Sequence, residues 1–175
     1  MKIHFVLGPV CSGKSTLINK LFPVEQNVVV RIGKFLRESI GLQAMSQDPK
    51  PNVCDVTESW VRWHVKGAVM CANKLGRDVV FDGYPRSVGQ VEFFHGMLRP
   101  MQSGHFTKTK WPICIHRLRT PIETIRERII HRSNGSEESQ AFDRLRLESS
   151  LESVDRVVDY AIGKFKERVE VLEVK

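Results

Sequence analysis

Apolar residues along this chain fall into two patterns. Short unbroken runs, Ile3 to Leu7, Val28-Val29-Val30, Val79-Val80-Phe81 and Ile113-Cys114-Ile115, read as strands buried on both faces, and Val169 to Val174 reads as a closing strand. Between them lie stretches with helical spacing. Lys14 to Leu21 forms a helix that Phe22-Pro23 stops. A short helical stretch from Phe35 to Ile40 precedes a loop over 41–54 punctuated by Pro49 and Pro51. From about Asp55 to Leu75, Val61, Val65, Ala68, Val69, Ala72 and Leu75 recur every three or four residues, with Asp55 or Thr57 as N-cap and Gly76 just past the end. A further helix runs from Ser87 to Leu98. Thr120-Pro121-Ile122-Glu123 carries three agreeing start signals: a threonine cap, proline at the first helical position and glutamate three residues after the cap. A polar run between Arg132 and Phe142 leads into an amphipathic stretch through Leu147, Leu151, Val154, Val158 and Phe165. Strands alternating with helices, without internal repeats, predict an α/β fold: a parallel five-stranded sheet with helices on both faces.

The 175 residues suit one compact domain. With 41% hydrophobic and 27% charged residues and no apolar run of membrane-spanning length, the composition is that of a water-soluble protein, and the start of the chain lacks a signal-peptide pattern. An intracellular, cytoplasmic location is expected. Cys11, Cys54, Cys71 and Cys114 are scattered without a CxxC pair, so neither a zinc site nor a disulfide framework is indicated and mostly packed, reduced thiols are expected. The net charge of +7 implies anionic partners. Its arginines are spread along the chain, several beside glycine, proline and turn residues, which favours small phosphate-rich ligands over nucleic acid.

Gly8-Pro9-Val10-Cys11-Ser12-Gly13-Lys14-Ser15 fits G-x-x-x-x-G-K-[ST] and sits between a predicted strand and a predicted helix. Glycines let the backbone fold so that successive N–H groups converge on phosphate oxygens, and the helix beginning near Gly13 adds the positive end of its dipole. The expectation is a P-loop NTPase-type fold in which Gly8, Cys11, Ser12, Gly13, Lys14, Ser15 and Thr16 bind a donor nucleotide. Lys14 reaches the outer phosphates and Ser15 holds magnesium. A glycine-rich turn matching by chance is the plainer alternative, and the flanking strand and helix disfavour it.

After the third strand comes Asp82-Gly83-Tyr84-Pro85-Arg86-Ser87-Val88-Gly89-Gln90. An aspartate at the carboxyl end of such a strand faces the ligand crevice, placed to orient magnesium and its waters, and Arg86 is placed to grip a phosphate. This segment resembles the adenylate kinase family of nucleoside monophosphate kinases, whose second signature is D-G-[FY]-P-R followed by a glutamine eight residues after the aspartate. The resemblance implies ATP as phosphoryl donor, Mg2+ as cofactor and AMP as acceptor. It makes Arg86 a ligand of the acceptor phosphate, with Gly83 beside it, and pairs the Gln90 amide with adenine. Gly33-Lys34-Phe35-Leu36-Arg37 is similar to the family's G-D-x-L-R element, which implies acceptor contacts from Gly33 and Arg37, and Val56 is implied as a backbone contact to the acceptor base. Lys34 stands in place of the usual aspartate and Ile32 where a threonine is frequent.

Downstream, Pro121 to Arg132 is similar to the family's approach to its lid, which implies that Arg128 and Arg132 act on the donor phosphates, with Arg146 or Arg144 on the return side. The expected single domain thus holds an acceptor-binding insertion over about 33–75 and a short lid over about 132–143. Lys14, Arg86, Arg128, Arg132 and Arg146 are the expected catalytic set. A monomer taking small-molecule nucleotides, with no membrane partner, completes the expectation.

Overall fold

A computed structural model describes residues 1–35, 53–103, 110–132 and 137–174. Strands β1 (Ile3–Leu7), β2 (Asn27–Arg31), β3 (Asp78–Asp82), β4 (Ile113–Leu118) and β5 (Val169–Val174) form one sheet in the order β2-β3-β1-β4-β5. Every pairing is parallel: Ile3 lies opposite both Val79 and Ile113, Asn27 opposite Asp78, and Ile113 opposite Val169. The α/β, all-parallel five-stranded expectation is therefore met.

Parallel strands need crossovers, and the helices supply them on both faces. Helix α1 (Lys14–Leu21) covers one face, where Val6, Ile18, Phe22, Val80 and Leu118 pack together. Helices α2 (Val53–Leu75), α3 (Val88–Ser103) and α5 (Glu137–Phe165) cover the other. There Phe5 is fully buried among the rings of Phe81, Tyr84, Phe94 and Phe165. Helix α4 (Ile122–Arg132) instead packs through Ile125 and Ile129 on Leu147 of α5, with Val10 and Cys11 alongside.

Several boundaries differ from the sequence expectations. Helix α2 already includes Val53 and Cys54, so Asp55 and Thr57 lie within its first turns instead of capping it. Its C-terminal end follows expectation: Gly76 N–H bonds the Asn73 carbonyl at 3.2 Å and Arg77 N–H the Ala72 carbonyl at 3.0 Å, a Schellman closure. Helix α3 runs past Leu98 to Ser103 with Pro100 inside it. The proline forfeits only the bond to Gly96, and burial of Met97 and Leu98 in the core one turn earlier keeps the helix seated. In α4 the first helical bond runs from Ile125 N–H to the Pro121 carbonyl at 3.1 Å, so Pro121 takes the cap position one residue later than the pattern suggests. Seven residues of the expected lid, Glu137 to Asp143, form the opening turns of α5. A helical turn starts at Ile32, three residues before the expected one; its continuation beyond Phe35, and the predicted loop through 52, lie outside the described residues.

No helix among the described residues is long and apolar enough to cross a membrane. Of the cysteines with described side chains, Cys114 is buried, Cys11 half-buried and Cys71 exposed, so the expected packing fails at Cys71.

Candidate functional site

The carboxyl ends of β1, β2, β3 and β4 open onto a cleft of about 1000 Å³. Its floor is the loop from β1 into α1. Gly13, just before α1, has φ 95°, a left-handed conformation that side-chain-bearing residues seldom adopt. At Gly8 the constraint is space: an added Cβ would stand 2.7 Å from Ser12 Oγ and 3.0 Å from Leu118 Cβ. The loop is thus pressed against the end of β4, and only glycine fits there. Thr120 reinforces the contact by donating its hydroxyl proton to the Ser12 carbonyl at 2.8 Å. The sequence presents Thr120 as a helix cap; here its hydroxyl fastens the start of α4 to the loop.

Lys14 Nζ donates to the carbonyls of Gly8 at 2.9 Å and Pro9 at 2.5 Å, which folds its ammonium over the loop. Ser15 Oγ donates to Asp82 Oδ2 at 2.9 Å, joining the first turn of α1 to the end of β3. A hydroxyl and a carboxylate placed together are hard oxygen donors that suit Mg2+, which takes one or two protein oxygens and completes its shell from phosphate and water. Among the described residues no group of three or more His, Cys, Asp and Glu side chains forms a self-contained metal cage.

On the β3 side, Gly83 N–H bonds the Val6 carbonyl at 3.0 Å, anchoring the turn that carries Arg86. Arg86 Nε donates to the Gly83 carbonyl at 2.7 Å, so its guanidinium lies back along that turn into the cleft. Ser87 caps α3 by accepting from Gln90 N–H at 3.2 Å. Gln90 bonds at both ends of its amide: Oε1 accepts from Arg86 N–H at 2.7 Å and Nε2 donates to Glu58 of α2 at 3.0 Å. An amide has two donors and two acceptor sites, so one of each is left for a ligand. Tyr84 reaches the same segment, its hydroxyl donating to the Gln90 carbonyl at 3.3 Å, and burial pushes its phenol above the ordinary tyrosine range.

On the β4 side, Arg128 of α4 donates to the Cys11 carbonyl at 3.2 Å and approaches Gly13. On the β2 side, Arg31 donates to Asn19 Oδ1 of α1 at 2.5 Å, and Lys34 lines the same wall.

The cleft therefore gathers Gly8, Cys11, Ser12, Gly13, Lys14, Ser15, Thr16, Gly33, Asp82, Gly83, Arg86 and Arg128. Gln90 stands behind Arg86 and is not among the residues lining the cleft. Val56 lies in α2, Arg132 ends α4, and Arg144 and Arg146 lie in α5; their side chains, and Arg37 entirely, fall outside the described residues. The sequence reading missed Arg31, Lys20, Thr124 and Glu58. Arg31 ends a strand beside Gly33, the position where this architecture places ligand contacts, so the signal was present. Glu58 meets Gln90 across 32 residues, which no local pattern conveys. No protein-family model matches the chain, and no curated protein matches it.

Proposed function

We propose that this protein is a P-loop-type nucleoside monophosphate kinase that transfers the γ-phosphoryl group of ATP to AMP. The observation that carries the reading is the Ser15–Asp82 hydrogen bond in a cleft that Lys14 also lines, with Arg86 on the β3 side and Arg128 on the β4 side. A central phosphate cradle flanked by two arginines matches a reaction between two phosphorylated ligands.

The acceptor phosphate is already an anionic nucleophile, so catalysis reduces to positioning and neutralisation of charge. Lys14 exchanges the loop carbonyls for the outer donor phosphates. Arg128, with Arg132 and Arg146 by resemblance, stabilises charge on the transferring group, and Arg86 aims the acceptor. Magnesium, when bound through Ser15 and Asp82, supplies neutralisation of the donor phosphates. Gln90, held by Arg86 N–H and Glu58 behind Arg86, pairs with the adenine edge by resemblance.

The test is ADP formation from ATP and magnesium, with and without AMP, dAMP, GMP, CMP, UMP and dTMP. Adenine monophosphates are expected to give the highest rates. ADP formation independent of any monophosphate contradicts the proposal.

A further inference from the structure

The backbone of Gln90 is fixed on two sides: its N–H donates to Ser87 Oγ at 3.2 Å, and its carbonyl accepts from the buried Tyr84 hydroxyl at 3.3 Å. A side-chain amide can still turn end for end, exchanging its oxygen for an NH2 group in nearly the same space. Two neighbours decide that turn. Arg86 N–H, which can only donate, meets Oε1 at 2.7 Å, and the Glu58 carboxylate, which when ionised can only accept, meets Nε2 at 3.0 Å. In the turned amide NH2 would face N–H and the oxygen would face the carboxylate, so both bonds would be lost together.

Glu58 is itself held. Its Oε1 accepts from Arg62 Nε at 3.2 Å, one turn along α2, while its Oε2 serves Gln90. Arg62 in turn lies over the Phe93 ring of α3, 5.2 Å from its centroid. The carboxylate is thus braced within α2 and, through Arg62, against the helix whose first turn carries Gln90.

Orientation matters because purines differ in the order of donor and acceptor along one edge. Adenine offers an amino donor at C6 beside the acceptor N1, whereas hypoxanthine and guanine offer an acceptor O6 beside a donor N1–H. One orientation of an amide serves the first order, and the turned amide serves the second. Under the kinase reading, in which Gln90 meets the acceptor base by resemblance, we propose that Glu58 determines base specificity. By locking the Gln90 amide it admits 6-amino purine monophosphates and rejects their 6-oxo counterparts. Glu58 acts through Gln90 and is a positioning residue.

This inference rests on the kinase reading, so binding is measured separately from transfer. IMP is the probe, since it differs from AMP only in carrying O6 and N1–H on its base. Calorimetry and kcat/KM with AMP and IMP are taken on the wild type, Glu58→Gln, Gln90→Ala and the double variant, with thermal melts to verify folding. Glu58→Gln keeps the shape and introduces a group that both donates and accepts, which releases the lock. The wild-type preference for AMP over IMP is expected to fall by about tenfold in Glu58→Gln, and this change to vanish in the Gln90→Ala background. Equal losses for AMP and IMP in folded Glu58→Gln, as a purely structural role would give, overturn the inference. So does the same change without Gln90, or equal binding of AMP and IMP by the wild type. A binding preference relaxed by Glu58→Gln, without transfer to either nucleotide, keeps the lock and refutes the kinase reading. Transfer to AMP with an unaltered ratio in Glu58→Gln does the reverse.

Discussion

The Ser15 hydroxyl and the Asp82 carboxylate meet at 2.9 Å, although they lie 67 residues apart in the chain. The contact joins the loop after β1 to the neighbouring strand and puts together two oxygen donors that, under the proposed function, would hold magnesium. Asp82→Asn keeps an oxygen to accept from Ser15 and removes the charge. Turnover is expected to fall by about a hundredfold and the magnesium concentration for half-maximal rate to rise by roughly tenfold, with little change in melting temperature. An unchanged magnesium titration contradicts the metal role.

Arg86 is braced through the Gly83 carbonyl and through its own N–H to Gln90. Arg86→Ala is expected to reduce turnover with AMP by about a hundredfold or more while leaving ATP binding in place, because a charge-assisted clamp on one substrate is lost. Steady-state kinetics and ATP-binding calorimetry check this. Loss of ATP binding with AMP affinity retained would exchange the donor and acceptor sides.

His4 and His116 lie buried side by side, Nδ1 to Nε2 at 3.1 Å, under Phe22 at the end of α1. That bond needs one ring to donate and the other to accept, so at least one imidazole nitrogen stays unprotonated. Burial, with His4 alongside, lowers His116 from 6.5 to about 4. Burial also lowers His4, partly opposed by Asp78 at 3.6 Å. A histidine with a depressed folded pKa binds fewer protons than it does unfolded, so stability is greatest above 6.5 and falls as pH drops toward about 4. His116→Gln, which still offers His4 a partner, is expected to flatten that acid limb at some cost in melting temperature at neutral pH. Melts across the same pH range decide it; a parallel acid limb in the variant excludes His116 as the source.

Phe5 packs against the rings of Phe81, Tyr84, Phe94 and Phe165 with no exposed surface. Phe5→Ala removes those contacts and leaves a cavity, for an expected loss of about 3–5 kcal/mol. Urea denaturation measures it, and a loss under about 1 kcal/mol would mean that the core closes over the gap.

The strands were readable because burial on both faces leaves unbroken apolar runs, as at Ile3 to Leu7. The loop at Gly8 to Ser15 was readable because its backbone demands are local: a left-handed Gly13 and a Gly8 with no room for a side chain. What escaped depends on partners distant in sequence. Thr120 carries a cap signature, yet its hydroxyl serves Ser12, 108 residues away. Pro100 is a breaker by local rule and is overruled by the packing of Met97 and Leu98. Gln90 reads as a base-recognising amide, and its bonds to Arg86 and Glu58 appear only when α2 lies against the turn after β3.

The most direct test follows the phosphorus atom. The protein is mixed with ATP radiolabelled in its γ-phosphate, magnesium and unlabelled AMP, and the products are separated. The account predicts label in the β-phosphate of newly formed ADP, at a rate that collapses in a folded Lys14→Ala variant. Label found only in inorganic phosphate, or equal transfer by Lys14→Ala, would contradict it.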